Sequence, residues 1–224
     1  MTRFTGFDIR TVRLLAELPD WSAEDYAAHK AVLTAGLSRP GLALITELAA
    51  RFDGRLTVTP RSSVSPLHRD LRFAKPGTPR YKDHLLMTAW EGDDRRAAPT
   101  MWLRLDARTT GFASGVSFTP ELRDRWRTLV GREDGAPLAA LLERLAAHHG
   151  AEVASESVKR VPAPFAADHP RADLLRRTGF QVRFAAPHPA SLTDADYVDW
   201  CLEHWNALRP VHRWLVDHLA SGTA

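Results

Sequence analysis

The chain has 224 residues, 44% hydrophobic and 25% charged, a balance that suits one globular domain and excludes a disordered or collagen-like chain. Lysine plus arginine exceed aspartate plus glutamate by 30 to 27, and the single cysteine, Cys201, excludes an internal disulfide and a multi-cysteine metal site. No apolar run approaches the ~20 residues of a spanning helix; the longest, residues 41–50, contains Glu47, and the first six residues lack an apolar signal core, so a cytoplasmic protein is expected.

The first fifty residues read as helical. Asp8 can cap a segment with Ile9, Val12, Leu15 and Leu18 on one face, ended by Pro19. Ser22 and Asp25 resemble a capping box that opens a second helix through Tyr26, His29 and Leu33. A third is predicted over residues 40–52, with Leu44, Leu48 and Phe52 in phase and Gly54 as its stop.

In the middle the period changes from helix to strand. Leu56-Thr57-Val58-Thr59 alternates and is closed by Pro60, and residues 101–106 and 111–118 also read as strands. The short link from Ala107 to Thr110 makes the last two antiparallel. Residues 67–75 read as a further extended strand, with Arg69, Leu71, Phe73 and Lys75 on one side and His68, Asp70, Arg72 and Ala74 on the other. Strong polar groups on both faces place such a piece at an edge or along a cleft.

Thr119 caps the next helix, with Pro120 in its first turn. Another opens at Pro137 and ends near Gly150, where His148 and His149 suit the negative end of the helix dipole. A short helix over residues 170–177, a strand over 180–185 and a last helix started by Thr193 and Asp196, bent before Pro210, complete the chain. The expected fold is α+β: a mainly antiparallel sheet flanked by N- and C-terminal helices, in one domain over residues 1–224.

The charge is concentrated. Residues 61–84 hold six basic side chains against Asp70 and Asp83, a local net of +4, and the other 200 residues net −1. Such focusing raises the local concentration of an anionic partner. Against it stands a solvated arginine-rich surface, since only Lys30, Lys75, Lys82 and Lys159 are lysines. No phosphate-binding glycine loop and no nucleophile elbow is present. Cys201 and His204 have half of a metal-site spacing, but flanking Trp200 and Trp205 favour a core-lining cysteine; His204, His212 and His218 are expected on the solvated side of the last helix. Neither a metal nor a cofactor is expected.

Several segments resemble one bacterial family. Phe4-Thr5-Gly6-Phe7, the Tyr26/His29/Lys30 set, Arg69-Asp70-Leu71-Arg72-Phe73-Ala74-Lys75 and Tyr81-Lys82-Asp83-His84 are similar to its successive motifs. Lys159-Arg160-Val161-Pro162, Phe165, Asp168-His169-Pro170 and Asp173-Leu174-Leu175-Arg176 match its most specific stretch at the same spacing. The chain thus resembles the domain of unknown function 2461 (DUF2461) family over nearly its whole length. It departs from the pattern at Asp25, where an aromatic is usual, at Pro66-Leu67-His68 in place of R-I-Y, at a one-residue insertion before Tyr81 with loss of the second lysine of a K-x-K pair, and at Arg104, where a histidine is common.

The family has no agreed activity, so its motif positions serve as candidates. An enzyme for a small anionic substrate would bind with the forks of Arg69, Arg72, Arg104 and Arg160 and the point charges of Lys75, Lys82 and Lys159. His68, His84 or His169 would be the base, and Tyr81 stands beside them as a catalytic candidate. Resemblance to divergent actinobacterial relatives implies antibiotic-type pathways in which an amine closes onto carbon, sulfate (or phosphate) departs and an aziridine forms, the substrate riding on an acidic carrier protein. The alternative is a non-catalytic assembly subunit that docks an acidic partner through the basic strip. Nucleic-acid binding is not expected, because only Phe73 and Tyr81 interleave with the basic residues, nor is a membrane role.

Overall fold

In a computed structural model that describes residues 3–52 and 55–220, six strands form one antiparallel sheet in the order β1-β2-β3-β4-β6-β5. They are β1 (Leu56–Thr57), β2 (His84–Glu91), β3 (Thr100–Asp106), β4 (Thr109–Val116), β5 (Glu152–Val153) and β6 (Phe180–Pro187). The helices are α1 (Ile9–Arg13), α2 (Ala23–Leu33), α3 (Arg39–Phe52), α4 (Pro120–Gly131), α5 (Gly135–His149), α6 (Ala172–Leu175) and α7 (Tyr197–Leu219). The fold is α+β with helices at both ends.

Local chemistry sets many of these boundaries. The Asp8 side chain accepts from the Arg10 N–H at the start of α1. Ser22 and Asp25 form a full capping box, Asp25 serving in place of the usual glutamate. Thr119 accepts from the Leu122 N–H, and Gly150, at φ 62°, closes α5 in the left-handed conformation. Between α2 and α3 the helix does not stop: a π-helical segment, Thr34–Ser38, joins them. The stop predicted at Gly54 lies outside the described residues. α7 runs through Pro210 without ending.

The largest departure from the sequence reading lies at residues 67–75, which are not a strand. Only residues 67–69 are extended, paired with 80–82 through Arg69 N–H to Arg80 O and Lys82 N–H to Leu67 O, both 2.8 Å. Residues 70–79 form the exposed end of this ribbon, with Gly77 at φ 83°. The strand is instead β2, an almost continuous apolar run whose paired partners begin at Ser63–Ser65.

The chain divides into two compact units. The first comprises Met1–Ala89, Trp102–Gly111 and Ala186–His204. In it Gly41 of α3 lies under Leu85 and Met87 of β2, and Phe4, Phe7 and Tyr197 pack with ring centroids 5.3–6.1 Å apart. Gly6 has φ +113°, and a Cβ there would lie 2.2 Å from the Thr193 carbonyl, so this motif position accepts glycine alone. Cys201 is buried in the same unit, and burial pushes its thiol far above the usual range.

The second unit comprises Trp90–Met101, Phe112–Ala185 and Trp205–Ala224. Its centre is Trp126, fully buried against Phe118, Phe180 and Trp214, with its indole N–H donating to the Leu174 carbonyl at 2.9 Å. Replacing Trp126 by alanine removes the ring and orphans that carbonyl. Chemical denaturation of Trp126→Ala is expected to show a loss of about 3–5 kcal/mol.

Candidate functional site

Of the eleven candidate residues, the structure gathers four in the first unit: Arg69, Lys82, His84 and Arg104. β2 begins at His84, one residue after Asp83, and the Asp83 carboxylate lies 2.6 Å from the His84 Nδ1. Arg104 is on β3, where alternation puts it on the same face as Asp106. Its guanidinium donates to Asp106 at 2.5 Å and to Asp83 at 3.4 Å, so one arginine joins two carboxylates. Asp106 also accepts from the Arg108 and Thr109 N–H groups and from the Thr109 hydroxyl, at 2.7–2.9 Å. Its backbone carbonyl meets His188 Nε2 at 3.0 Å, and His188 Nδ1 lies 3.1 Å from Thr110, which is bonded in turn to Tyr197.

This network sets the protonation states. Burial lowers the His84 pKa; the bond to Asp83 pulls it back up, while the charges of Arg104 and Lys82 push it down again, and the net shift is downward. Burial raises Asp83, but the His84 bond and the charges of His84 and Arg104 outweigh it and leave the carboxyl below its usual range. Asp106 is lowered in the same way, its burial overcome by four donors. Lys82 is lowered by burial and then by the charge of Arg69, while its ammonium donates to Pro66 O at 2.8 Å. Among the described residues the buried Arg69 Nε has no hydrogen-bond partner.

Chemically this is a neutral base beside clustered positive charge. With Nδ1–H donating to Asp83, the His84 Nε2 is left as the proton acceptor. Arg69, Lys82 and Arg104 against Asp83 and Asp106 leave one positive charge in excess.

The other candidates lie elsewhere. Tyr81 is buried, stacked on Tyr26 at 4.2 Å and 7°, and its bridge partner His68 is exposed. Arg72 and Lys75 are on the exposed ribbon end, where Arg72 is 79% exposed and its fork is closed on Asp70 at 2.5–3.1 Å. Lys159, Arg160 and His169 belong to the second unit, and the first two are exposed. Both ring nitrogens of His169 are used: Nδ1 accepts from the Arg171 N–H at 3.0 Å and Nε2 faces Gly131 O at 3.3 Å. Arg171 donates to Val130 O and Arg132 O at 2.6 and 2.8 Å, so this motif clamps its loop onto the end of α4.

His212 corrects the sequence reading. It is 1% exposed rather than solvated, with Nδ1 3.1 Å from Ser114 Oγ and Nε2 3.0 Å from Glu91. The order resembles a hydrolase relay, but the Ser114 hydroxyl is fully buried, and the triad ties β4, α7 and β2 together. Among the described residues no cluster of three or more His, Cys, Asp or Glu side chains is arranged to hold a metal ion, and no helix is long and apolar enough to cross a membrane.

The family model for "Conserved hypothetical protein (DUF2461)" matches residues 20–214. The chain belongs to the DUF2461 family. Curated proteins and solved structures compared with it gave no match.

In this DUF2461 protein the Y-K-x-H motif supplies Lys82 and His84, and the carboxylates that complete the site, Asp83 and Asp106, were not among the sequence candidates. The signal for them was local: Asp83 adjoins His84, and Asp106 sits two residues beyond Arg104 on a strand. NMR titration is expected to place the His84 pKa below 6.5, higher in Arg104→Gln and lower still in Asp83→Asn. A depressed folded-state value also means that the His84 contribution to stability is full above about pH 6.5 and declines as the pH falls toward that folded value.

Proposed function

We propose that this DUF2461 protein is an enzyme for a small anionic substrate, with His84 as general base and Arg69, Lys82 and Arg104 as the oxyanion-holding groups. The observation that carries the reading is the buried, unpartnered Nε of Arg69, whose charge also acts on Lys82, itself close enough to act on His84. A buried guanidinium nitrogen without an acceptor is costly, and an anion supplies one. Clustered cations also stabilise negative charge as it grows on a leaving group.

In its finer form the proposed reaction is the ring closure that the resemblance to divergent actinobacterial relatives implies, in cytoplasmic, antibiotic-type biosynthesis. The substrate amine nitrogen forms a bond to carbon, the carbon–oxygen bond to sulfate or phosphate breaks, and the departing oxyanion takes the bonding pair to the cations. His84 Nε2 accepts the amine proton, and no redox partner is needed. Released sulfate from 2-aminoethyl hydrogen sulfate, a minimal substrate with the reacting groups alone, measures this chemistry. Turnover is expected to fall by more than a hundredfold in His84→Asn and in Arg69→Gln; unchanged rates in both variants would remove the assignment.

A specific observation also favours docking of an acidic protein. At the ribbon end Phe73, between Arg72 and Lys75, is 93% exposed, and Leu71, just before Arg72, is 40% exposed. Exposed apolar anchors beside the Lys75 ammonium and an arginine that an acidic partner could draw from Asp70 suit a hydrophobic contact flanked by acidic residues. An acyl carrier protein serves as the probe. Association is expected to weaken steeply between 50 and about 300 mM salt and at least tenfold in Phe73→Ser, and the absence of any association at the lower salt would exclude docking.

A further inference from the structure

The second unit contains a cavity of about 380 Å³ that no proposed reaction uses, between the C-terminal half of α4 and the loop at residues 163–165. Asp124, Arg127 and Thr128, at the 3- and 4-residue spacings of one helix face, line one side together with Arg132 just past the helix end; Pro164 and Phe165 line the other. We propose that this cavity binds a small carboxylate carried on an aromatic or branched apolar body.

The polar side is built for a single negative charge. Arg127 and Arg132 against Asp124 leave one positive charge over. Among the described residues the Arg127 Nε is buried without a hydrogen-bond partner, and the guanidinium has one ion pair, a long one, Nη1 to Asp124 at 3.8 Å. A guanidinium held by so long an ion pair can turn its two terminal nitrogens to a carboxylate in two parallel hydrogen bonds. The negative end of a helix would ordinarily repel an anion. Here that end is neutralised: Arg171 occupies the Val130 and Arg132 carbonyls, and His169 faces that of Gly131.

The apolar side is fixed with equal care. Phe165 lies so close to Gly131 that a Cβ there would meet its ring at 2.1 Å, and His169 packs edge-on against the same ring at 6.0 Å. The Phe165 ring is thereby held as a wall rather than left to swing. An inorganic anion would leave that wall unused, and a cation would face two arginines, so a carboxylate with an apolar body is the chemistry that uses both sides.

Isothermal titration of the full chain with phenylacetate, benzylamine and inorganic phosphate tests this. Saturable phenylacetate binding, weakened at least tenfold in both Arg127→Gln and Phe165→Ala, with benzylamine silent, is the expected result. Arg132→Gln alters an exposed side chain and reports on the same charge if Arg127→Gln fails to fold, which thermal melting would reveal. Absence of saturable phenylacetate binding, equal affinity for benzylamine or phosphate, or retention of affinity in the arginine variants would overturn the proposal. Loss of the His84 reaction would not, because none of these residues belongs to that site.

Discussion

Arg104 between Asp83 and Asp106 is the interaction on which the candidate site depends. A lone guanidinium at that place would drive the His84 pKa further down and offer a free fork to any anion. Two carboxylates moderate it, and one of them, Asp83, also fixes which imidazole nitrogen carries the proton. The candidate site is therefore not a bare patch of positive charge but a partly neutralised one around an imidazole held by Asp83. The unneutralised share falls to Arg69 and Lys82, which reach the site from the two arms of a short ribbon. Position and charge are set by different elements: β3 carries the carboxylate-bound arginine, and the ribbon carries the cations left over.

The helices were legible because their ends are written in short-range chemistry. Asp8, Ser22 with Asp25, Thr119 and Gly150 each act within four residues, which is the range a sequence pattern can report. β2 was not legible, since a strand buried on both faces loses the alternation that marks a strand. Residues 67–75 showed the converse: their alternation of charge suggested pleating, yet only three residues pair, and the rest turn where Gly77 permits it. At the site, His84 and Lys82 could be named from a motif, whereas the pairing of Arg104 with Asp83 spans 21 residues and depends on which strands become neighbours. His212 was misread for a related reason. Its burial depends on Ser114 and Glu91, which lie 98 and 121 residues away.

The family's most specific motif turns out to be divided in its work. His169, with Arg171 just after the motif's proline, spends its polar atoms on the carbonyls at the end of α4, a task that fixes a loop, while Lys159 and Arg160 are exposed. A residue type suited to catalysis was thus present for its hydrogen-bonding geometry. The distinction is visible only when each ring nitrogen is accounted for, because a histidine with both nitrogens engaged cannot also receive a substrate proton.

The π-helical segment Thr34–Ser38 has a consequence for how α2 and α3 coexist in one uninterrupted rod. The capping box at Ser22 fixes the angular phase of α2, while close packing of Gly41 beneath Leu85 and Met87 fixes that of α3. Two phases imposed independently on a rigid spiral do not generally agree. A single widened turn carries one surplus residue and so works as a rotary coupling, absorbing about 100° of mismatch without a break in the rod.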